Sequence, residues 1–280
     1  MLIFRRNEKL NMAAGKLDSR QKMINMMYLV FIAMLALNIS KEVLATLGLI
    51  NDDIAASTRD MMLDSDEKYT LFSNNSTNEY YRLVAEFTPQ IQRVADDYYA
   101  YVDGFKKDLM ATSENGYKIA RENKKTGVVD SIIDYQTMDK SQYLDEMLFV
   151  GDEYSEQGQE YVNRFSNYIP KLQEVLDEFI AADLAKDPPT DESPYGQYID
   201  FDFSLLKDLE KRFAYEEMVL NREGKYLPYL NYHFEGFPLI ASLSKLTKLQ
   251  SDIRFVENKI LENMLTTINE HEGGISANTY

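Results

Sequence analysis

The sequence contains no cysteine and no tryptophan, and it contains only two histidines, His233 and His271. Without cysteine the chain forms no disulfides and offers neither a thiol nucleophile nor a zinc–thiolate site. Neither histidine lies at metal-binding helical spacing from a carboxylate, which argues against a histidine triad or a histidine-ligated metal. A glycine-rich nucleotide-binding loop is also missing. We therefore expect a protein that is not an enzyme and that holds no cofactor.

Basic residues are scarce: 30 lysines and arginines stand against 46 acidic residues, for a net charge of −16. This balance argues against a nucleic-acid partner, which requires a basic surface. Residues 1–22 are the exception, because there basic side chains outnumber acidic ones. Basic residues that precede an apolar span are retained in the cytoplasm. The pattern predicts a cytoplasmic N-terminus and an acidic body on the far side of the membrane.

One apolar stretch stands out. Between Lys22 and Lys41 lie 18 residues without charge, which form about 27 Å of helix and match a hydrocarbon core of about 30 Å. We predict a cytoplasmic tail over residues 1–19 and a single transmembrane helix over residues 20–41. A cleaved signal peptide is the alternative, but the stretch is longer than the apolar h-region of a usual signal peptide and no A-x-A site follows it.

The body carries apolar side chains at intervals of three and four residues, which indicates packed helices. Three stripes are clearest: Tyr80, Val84, Phe87, Ile91, Val94, Tyr98, Tyr101, Phe105; Tyr161, Phe165, Tyr168, Leu172, Val175, Phe179; and Leu239, Leu243, Leu246, Leu249, Ile253, Val256, Ile260, Met264. We predict an all-α protein in which the transmembrane helix is followed by a periplasmic antiparallel helical bundle. This bundle occupies residues 42–270, and residues 271–280 begin a linker to further domains.

Finer features of the body are also predicted. Gly48 is a possible joint in the first helix, Ala185–Gly196 is a loop, and Ser204–Leu220 is helical. The acidic pairs Asp96-Asp97 and Glu216-Glu217 are interpreted as solvated. Since no carboxylate pair stands apart from the general acidity, we expect no active site in the body.

Polar side chains in the apolar stretch are candidate functional residues. With Arg20 at zero degrees and 100 degrees per residue, Asn38 lies directly above it, Tyr28 about 80 degrees away and Asn25 about 60 degrees further. Such side chains suit contact with other transmembrane helices, at about 1 kcal/mol per hydrogen bond. The alternative is that Arg20 reaches the phosphate head groups of membrane lipids while Tyr28 only packs.

The stretch contains no Asp, Glu or His. It cannot carry protons itself, because arginine does not release its proton in proteins. If the chain works in a proton-driven machine, the titrating carboxylate must come from a partner. Arg20 would then lower the pKa of that carboxylate when the two groups are close.

The stretch from Lys16 to Val43 resembles the amino-terminal signature of the gliding-motility GldM/PorM family. Residues Leu243–Glu257 are similar to the last helix of that family's first periplasmic domain, and the middle agrees only in helical character and order. Ser19 replaces a proline of the family, and the usual family start falls near Met12. The sequence ends where the first periplasmic domain should end, which fits a truncated chain or a short member.

The resemblance implies an inner-membrane motor subunit of the type IX secretion and gliding apparatus. It implies a homodimer whose membrane helices sit in a ring of the multi-pass partner GldL (PorL), which supplies a glutamate. Proton flow would drive rotation, which further periplasmic domains pass to an outer-membrane ring. The functional arginine and tyrosine of the family fall on Arg20 and Tyr28.

A different class remains open: a single-pass membrane anchor or receptor whose periplasmic bundle binds a ligand. Only about 20 residues precede the span, which are few for a cytoplasmic signalling region.

Overall fold

A computed structural model describes residues 19–37, 40–122, 129–186 and 201–277 of the chain. The chain divides into two compact units, Met1–Ser40 and Lys41–Tyr280. The first unit contains helix α1, Ser19–Leu37, and Ser40 is not helical. Among the described residues, no helix combines the length and the apolar character that crossing a membrane requires. The all-α prediction is confirmed, but its transmembrane helix is not.

The second unit is built from long helices and short hairpins. Its helices are α2 Lys41–Asn74, α3 Glu79–Met110, α4 Gln142–Leu148, α5 Glu156–Lys186, α6 Leu206–Leu209, α7 Tyr229–His233 and α8 Leu239–Ala277. Antiparallel hairpins pair β1 Lys118–Glu122 with β2 Val129–Ile133, β3 Phe149–Val150 with β4 Glu153–Tyr154, and β5 Met218–Leu220 with β6 Tyr226–Pro228. Helix α8 runs beyond residue 270, so the boundary predicted there lies inside a helix.

The three predicted stripes form most of the core. Every predicted position of α8 is buried, and α3 and α5 bury the larger part of theirs. The two aromatic stripes meet each other: ring centroids lie 5.6 Å apart for Phe87 and Phe179, and 5.4 Å apart for Tyr98 and Tyr168. Tilted and edge-to-face rings at these distances are favourable. The periodicity therefore identifies the core correctly.

The relative direction of the helices differs from the prediction of an antiparallel bundle. On α2 and α8 the contacts advance together, from Asn51 with Thr247 to Ser65 with Asn258, so these two helices run parallel. Helix α3 is antiparallel to α8, because Lys106 contacts Thr247 while Asp96 contacts Arg254. A short turn forces neighbouring helices to be antiparallel, whereas the long connection between α5 and α8 does not.

Two local predictions are also corrected. The helix predicted over Ser204–Leu220 is only α6 followed by a 3₁₀ turn at Glu210–Phe213, after which the chain enters β5. The Asn221 carboxamide oxygen accepts hydrogen bonds from the backbone N–H groups of Glu223 and Lys225, both at 2.9 Å, and this turn closes the β5–β6 hairpin. Of the predicted loop Ala185–Gly196, residues 185 and 186 are helical and the remainder lies outside the described residues.

A half-buried cation lies where α7 meets α8. The Lys245 ammonium group donates to the His233 backbone oxygen and lies 4.4 Å from the ring centroid of Phe237. Burial lowers the pKa of Lys245 to about 8. Burial and the nearby Lys245 charge together lower the pKa of His233 to about 4. Burial therefore disfavours the charged form of both groups.

We expect His233 to account for part of the loss of folding stability at acidic pH. Its pKa is lower in the folded chain than the ordinary 6.5, so its contribution to stability is present above about pH 6.5 and is lost as the pH falls toward 4. Since the ring is half exposed, we expect a contribution of about 1 to 2 kcal/mol. Urea unfolding at pH 7 and pH 4 measures it. His233→Gln should lose less stability than the wild type over this interval, and an equal loss would contradict the assignment.

Candidate functional site

The predicted membrane-site residues lie on α1. Arg20, Asn25 and Tyr28 are all exposed, and Tyr28 has 66% of its surface accessible. Because α1 is a regular helix from Ser19 to Leu37, Arg20 and Tyr28 lie about 80 degrees apart on one side of it. Asn38 lies outside the described residues, and so does any contact it makes. The partner-contact role of these side chains stays a prediction.

The surface around Tyr28 is apolar. A shallow groove with a volume of about 320 Å³ is lined by Ile24, Met27, Tyr28, Val30 and Phe31. Met27 and Phe31 are 73% and 61% exposed. Contiguous apolar surface of this kind marks contact with a protein or a membrane. Helix α1 also contains no acidic residue.

A buried ionic cluster, which we call the Arg254 network, joins three helices of the second unit. Arg254 on α8 donates from Nη1 to Glu257 Oε2 at 2.8 Å and from Nη2 to Asp96 Oδ1 on α3 at 2.6 Å. The Tyr69 hydroxyl on α2 donates to Glu257 Oε1 at 2.8 Å. The side chains of Arg254 and Glu257 are only 7% and 1% exposed. Asp96 is exposed, as the sequence predicts, with 52% of its side chain accessible, and it also forms an ion pair with Arg254.

The charges in this network depend on one another. Burial raises the pKa of Glu257, and the guanidinium of Arg254 and the hydroxyl of Tyr69 partly offset that rise. Burial and the Glu257 carboxylate raise the pKa of Tyr69, so its hydroxyl remains a donor. Arg254 also lies 4.5 Å from the ring centroid of Tyr99. Because the Glu257 side chain is only 1% exposed, solvation would not replace Arg254 as the partner of its carboxylate.

A second polar layer joins the same three helices nearer the start of α2. Lys106 Nζ on α3 donates to Thr247 Oγ1 at 2.7 Å and to Gln250 Oε1 at 2.8 Å. The Thr247 hydroxyl donates in turn to Asn51 Oδ1 on α2 at 2.7 Å. Thr247, Gln250 and Asn51 are all buried. Burial lowers the pKa of Lys106, and the neutral oxygens around it supply hydrogen bonds without a carboxylate.

The sequence also contains a polar stripe beside the hydrophobic one, and this polar stripe indicates the two buried polar layers. Thr247, Gln250, Arg254 and Glu257 recur at intervals of three and four residues, each one position after an apolar core residue. Two adjacent stripes at this spacing indicate a helix buried over more than half of its circumference. Helix α8 is such a helix, and its polar stripe faces α2 and α3.

Over the described part of the chain, no group of three or more His, Asp or Glu side chains is arranged to hold a metal ion. A family model described as the GldM N-terminal domain matches residues 42–267. The match covers the greater part of the chain, including the Arg254 network. No curated protein matches the sequence.

Proposed function

Because this chain belongs to the GldM family, we propose that it is an inner-membrane motor subunit that couples proton flow to rotation. The family is a membrane-associated component of the type IX secretion and gliding-motility machinery. In the proposal, the chain works with a multi-pass GldL/PorL-like partner and drives secretion and gliding. The observation that carries the proposal is the family match over residues 42–267.

The exposed apolar side chains of α1 and the basic residues before it support the membrane part of the proposal. We place residues 20–41 in the inner membrane, with the basic N-terminus in the cytoplasm and the acidic body in the periplasm. Apolar side chains of α1 such as Met26 and Leu29 are both 70% exposed and would be covered by lipid or partner helices. Since α1 lacks a carboxylate, the partner ring supplies the titrating group and Arg20 its counter-charge.

The body supports the mechanical part. Transmission of torque requires an element that moves without its helices sliding past one another. The Arg254 network and the Lys106 layer fix α2, α3 and α8 at two separate levels. In the proposal two copies form a homodimer, and domains that follow in the family reach the outer-membrane ring proteins.

The test is purification of the chain with and without its multi-pass partner, followed by secretion and gliding assays. Arg20→Ala should still assemble with the partner but abolish secretion, because it removes the counter-charge without altering the apolar surface. Leu29→Ala is the matched control, since Leu29 is exposed on the opposite side of α1 and carries no charge. Normal secretion in Arg20→Ala, or a chain that never co-purifies with the partner, would refute the proposal.

A further inference from the structure

A groove between α3 and α5 combines an apolar floor with a cationic rim. Its volume is about 360 Å³. The floor contains the buried rings of Tyr98 and Tyr168 together with Val94 and Val175. The polar lining consists of Gln90, Arg93, Asp97, Arg164 and Lys171. Three cations therefore face one carboxylate, on a chain whose net charge is −16.

The three cations differ in their availability. Arg164 is already engaged: it donates to Glu160 and, at 2.8 Å, to Asp97, and it lies 4.6 Å from the ring centroid of Tyr101. Arg93 and Lys171 are exposed, and neither forms an ion pair with any residue that the structure describes. Arg164 is thus shared between Glu160 and Asp97, and Arg93 and Lys171 are the two cations of the rim that are left for a ligand.

The floor also contains a buried hydroxyl that lacks a partner. Tyr98 is only 3% exposed, and its hydroxyl has no hydrogen-bond partner within the described ranges. The neighbouring Tyr168 hydroxyl, in contrast, donates to the Ile253 backbone oxygen at 3.0 Å. Buried hydroxyls are normally paired, and an unpaired one calls for an explanation. A groove with an apolar floor and a few converging polar groups is typical of a ligand site.

We propose that this groove binds a short acidic segment of a peptide, with a carboxylate between Arg93 and Lys171 and an apolar side chain on the tyrosine floor. The charge of the rim selects an anion, and the rings of the floor favour a peptide over a small inorganic anion. The segment must be short, because the next stretch of the same seam is lined by Asp108, Glu156 and Glu160, which repel a longer acidic run. This inference does not depend on the motor function.

The test measures binding of the acetylated, amidated tetrapeptide Val-Glu-Val-Glu to the full chain, beside its Val-Gln-Val-Gln twin and inorganic phosphate. The glutamate peptide should bind more tightly than both. Arg93→Ala/Lys171→Ala should weaken its binding by about tenfold, since two charge-assisted contacts are lost. These side chains are exposed, so the fold should persist.

The control is Lys107→Ala/Lys225→Ala, which removes the same charge from two exposed lysines outside the groove. It should change the affinity by less than about twofold, as expected for distant screened charges. Equal binding of the glutamine twin, equal binding of phosphate, or equal losses in the two double variants would each overturn the proposal.

Discussion

Arg254→Met should lower the free energy of unfolding by about 3 to 5 kcal/mol, because it leaves a buried carboxylate without its counter-ion. Glu257 is 1% exposed and accepts from Arg254 at 2.8 Å. After the substitution only the Tyr69 hydroxyl would remain as its partner in the network. The loss of Arg254 would cost less at Asp96, since its side chain is 52% exposed and its carboxylate can be solvated by water. Urea unfolding of the full chain measures the loss.

The double variant Arg254→Met/Glu257→Leu separates two quantities. One is the destabilisation caused by leaving Glu257 unpaired, and the other is the net contribution of the ion pair to stability. Replacing both charges with apolar groups of similar volume is often neutral, so we expect it to be more stable than Arg254→Met by at least about 2 kcal/mol. Lys211→Met is the surface control, because Lys211 and Asp208 are 77% and 84% exposed, and its cost should stay within about 1 kcal/mol. A double variant no more stable than Arg254→Met would show that the methionine, rather than the stranded carboxylate, caused the loss.

The Arg254 network is better explained as a means of fixing the register between helices than as a source of folding stability. Packing positions on a helix repeat every three or four residues, so apolar contacts alone would allow parallel helices such as α2 and α8 to slide by one turn. Buried polar contacts do not tolerate such a shift, because every donor and acceptor loses its partner together. Asn51 with Thr247 and Tyr69 with Glu257 fix the register at two levels of α2. This is the property that the proposed transmission of torque requires.

The sequence predicts which apolar residues form the core, but it does not predict which polar residues are buried between the helices. The stripes of α3, α5 and α8 follow the helical period, so the period alone assigns Phe87, Leu172 and Ile260 to the core, where all three are buried. Helix α2 instead buries Asn51, Thr58 and Ser65 against its neighbours. A polar residue in a helix is solvated by default, and only the partner helix decides otherwise.

The sequence predicts neither the relative direction of the helices nor the roles of the α1 side chains, and the reasons differ. The parallel course of α2 and α8 depends on a long connection, whose path no local pattern specifies. The assignment of Arg20 and Tyr28 rests on the family resemblance, because angular position alone does not distinguish a partner contact from a lipid contact. The match over residues 42–267 shows the family, while the roles of these two side chains await the Arg20→Ala experiment.

Gly48 is a possible joint by sequence, but α2 passes through it without interruption and it serves close packing instead. A Cβ atom at this position would lie 2.0 Å from Cδ2 of the Tyr135 ring. The hydroxyl of the same tyrosine donates to Asp52 Oδ1 at 2.5 Å. Any side chain at residue 48 must therefore displace the ring that makes this hydrogen bond.

Gly48→Ala should consequently destabilise the protein by about 1 to 3 kcal/mol, although alanine is by itself the better helix former by about 1 kcal/mol. Gly104→Ala on α3 is the matched control, because a Cβ atom there meets no atom within 4 Å. It should stabilise the protein by about 0.5 to 1 kcal/mol. Thermal unfolding of the two variants should thus shift in opposite directions. If both gained stability, Gly48 would be a flexible point in α2, and the contact with Tyr135 would not constrain it.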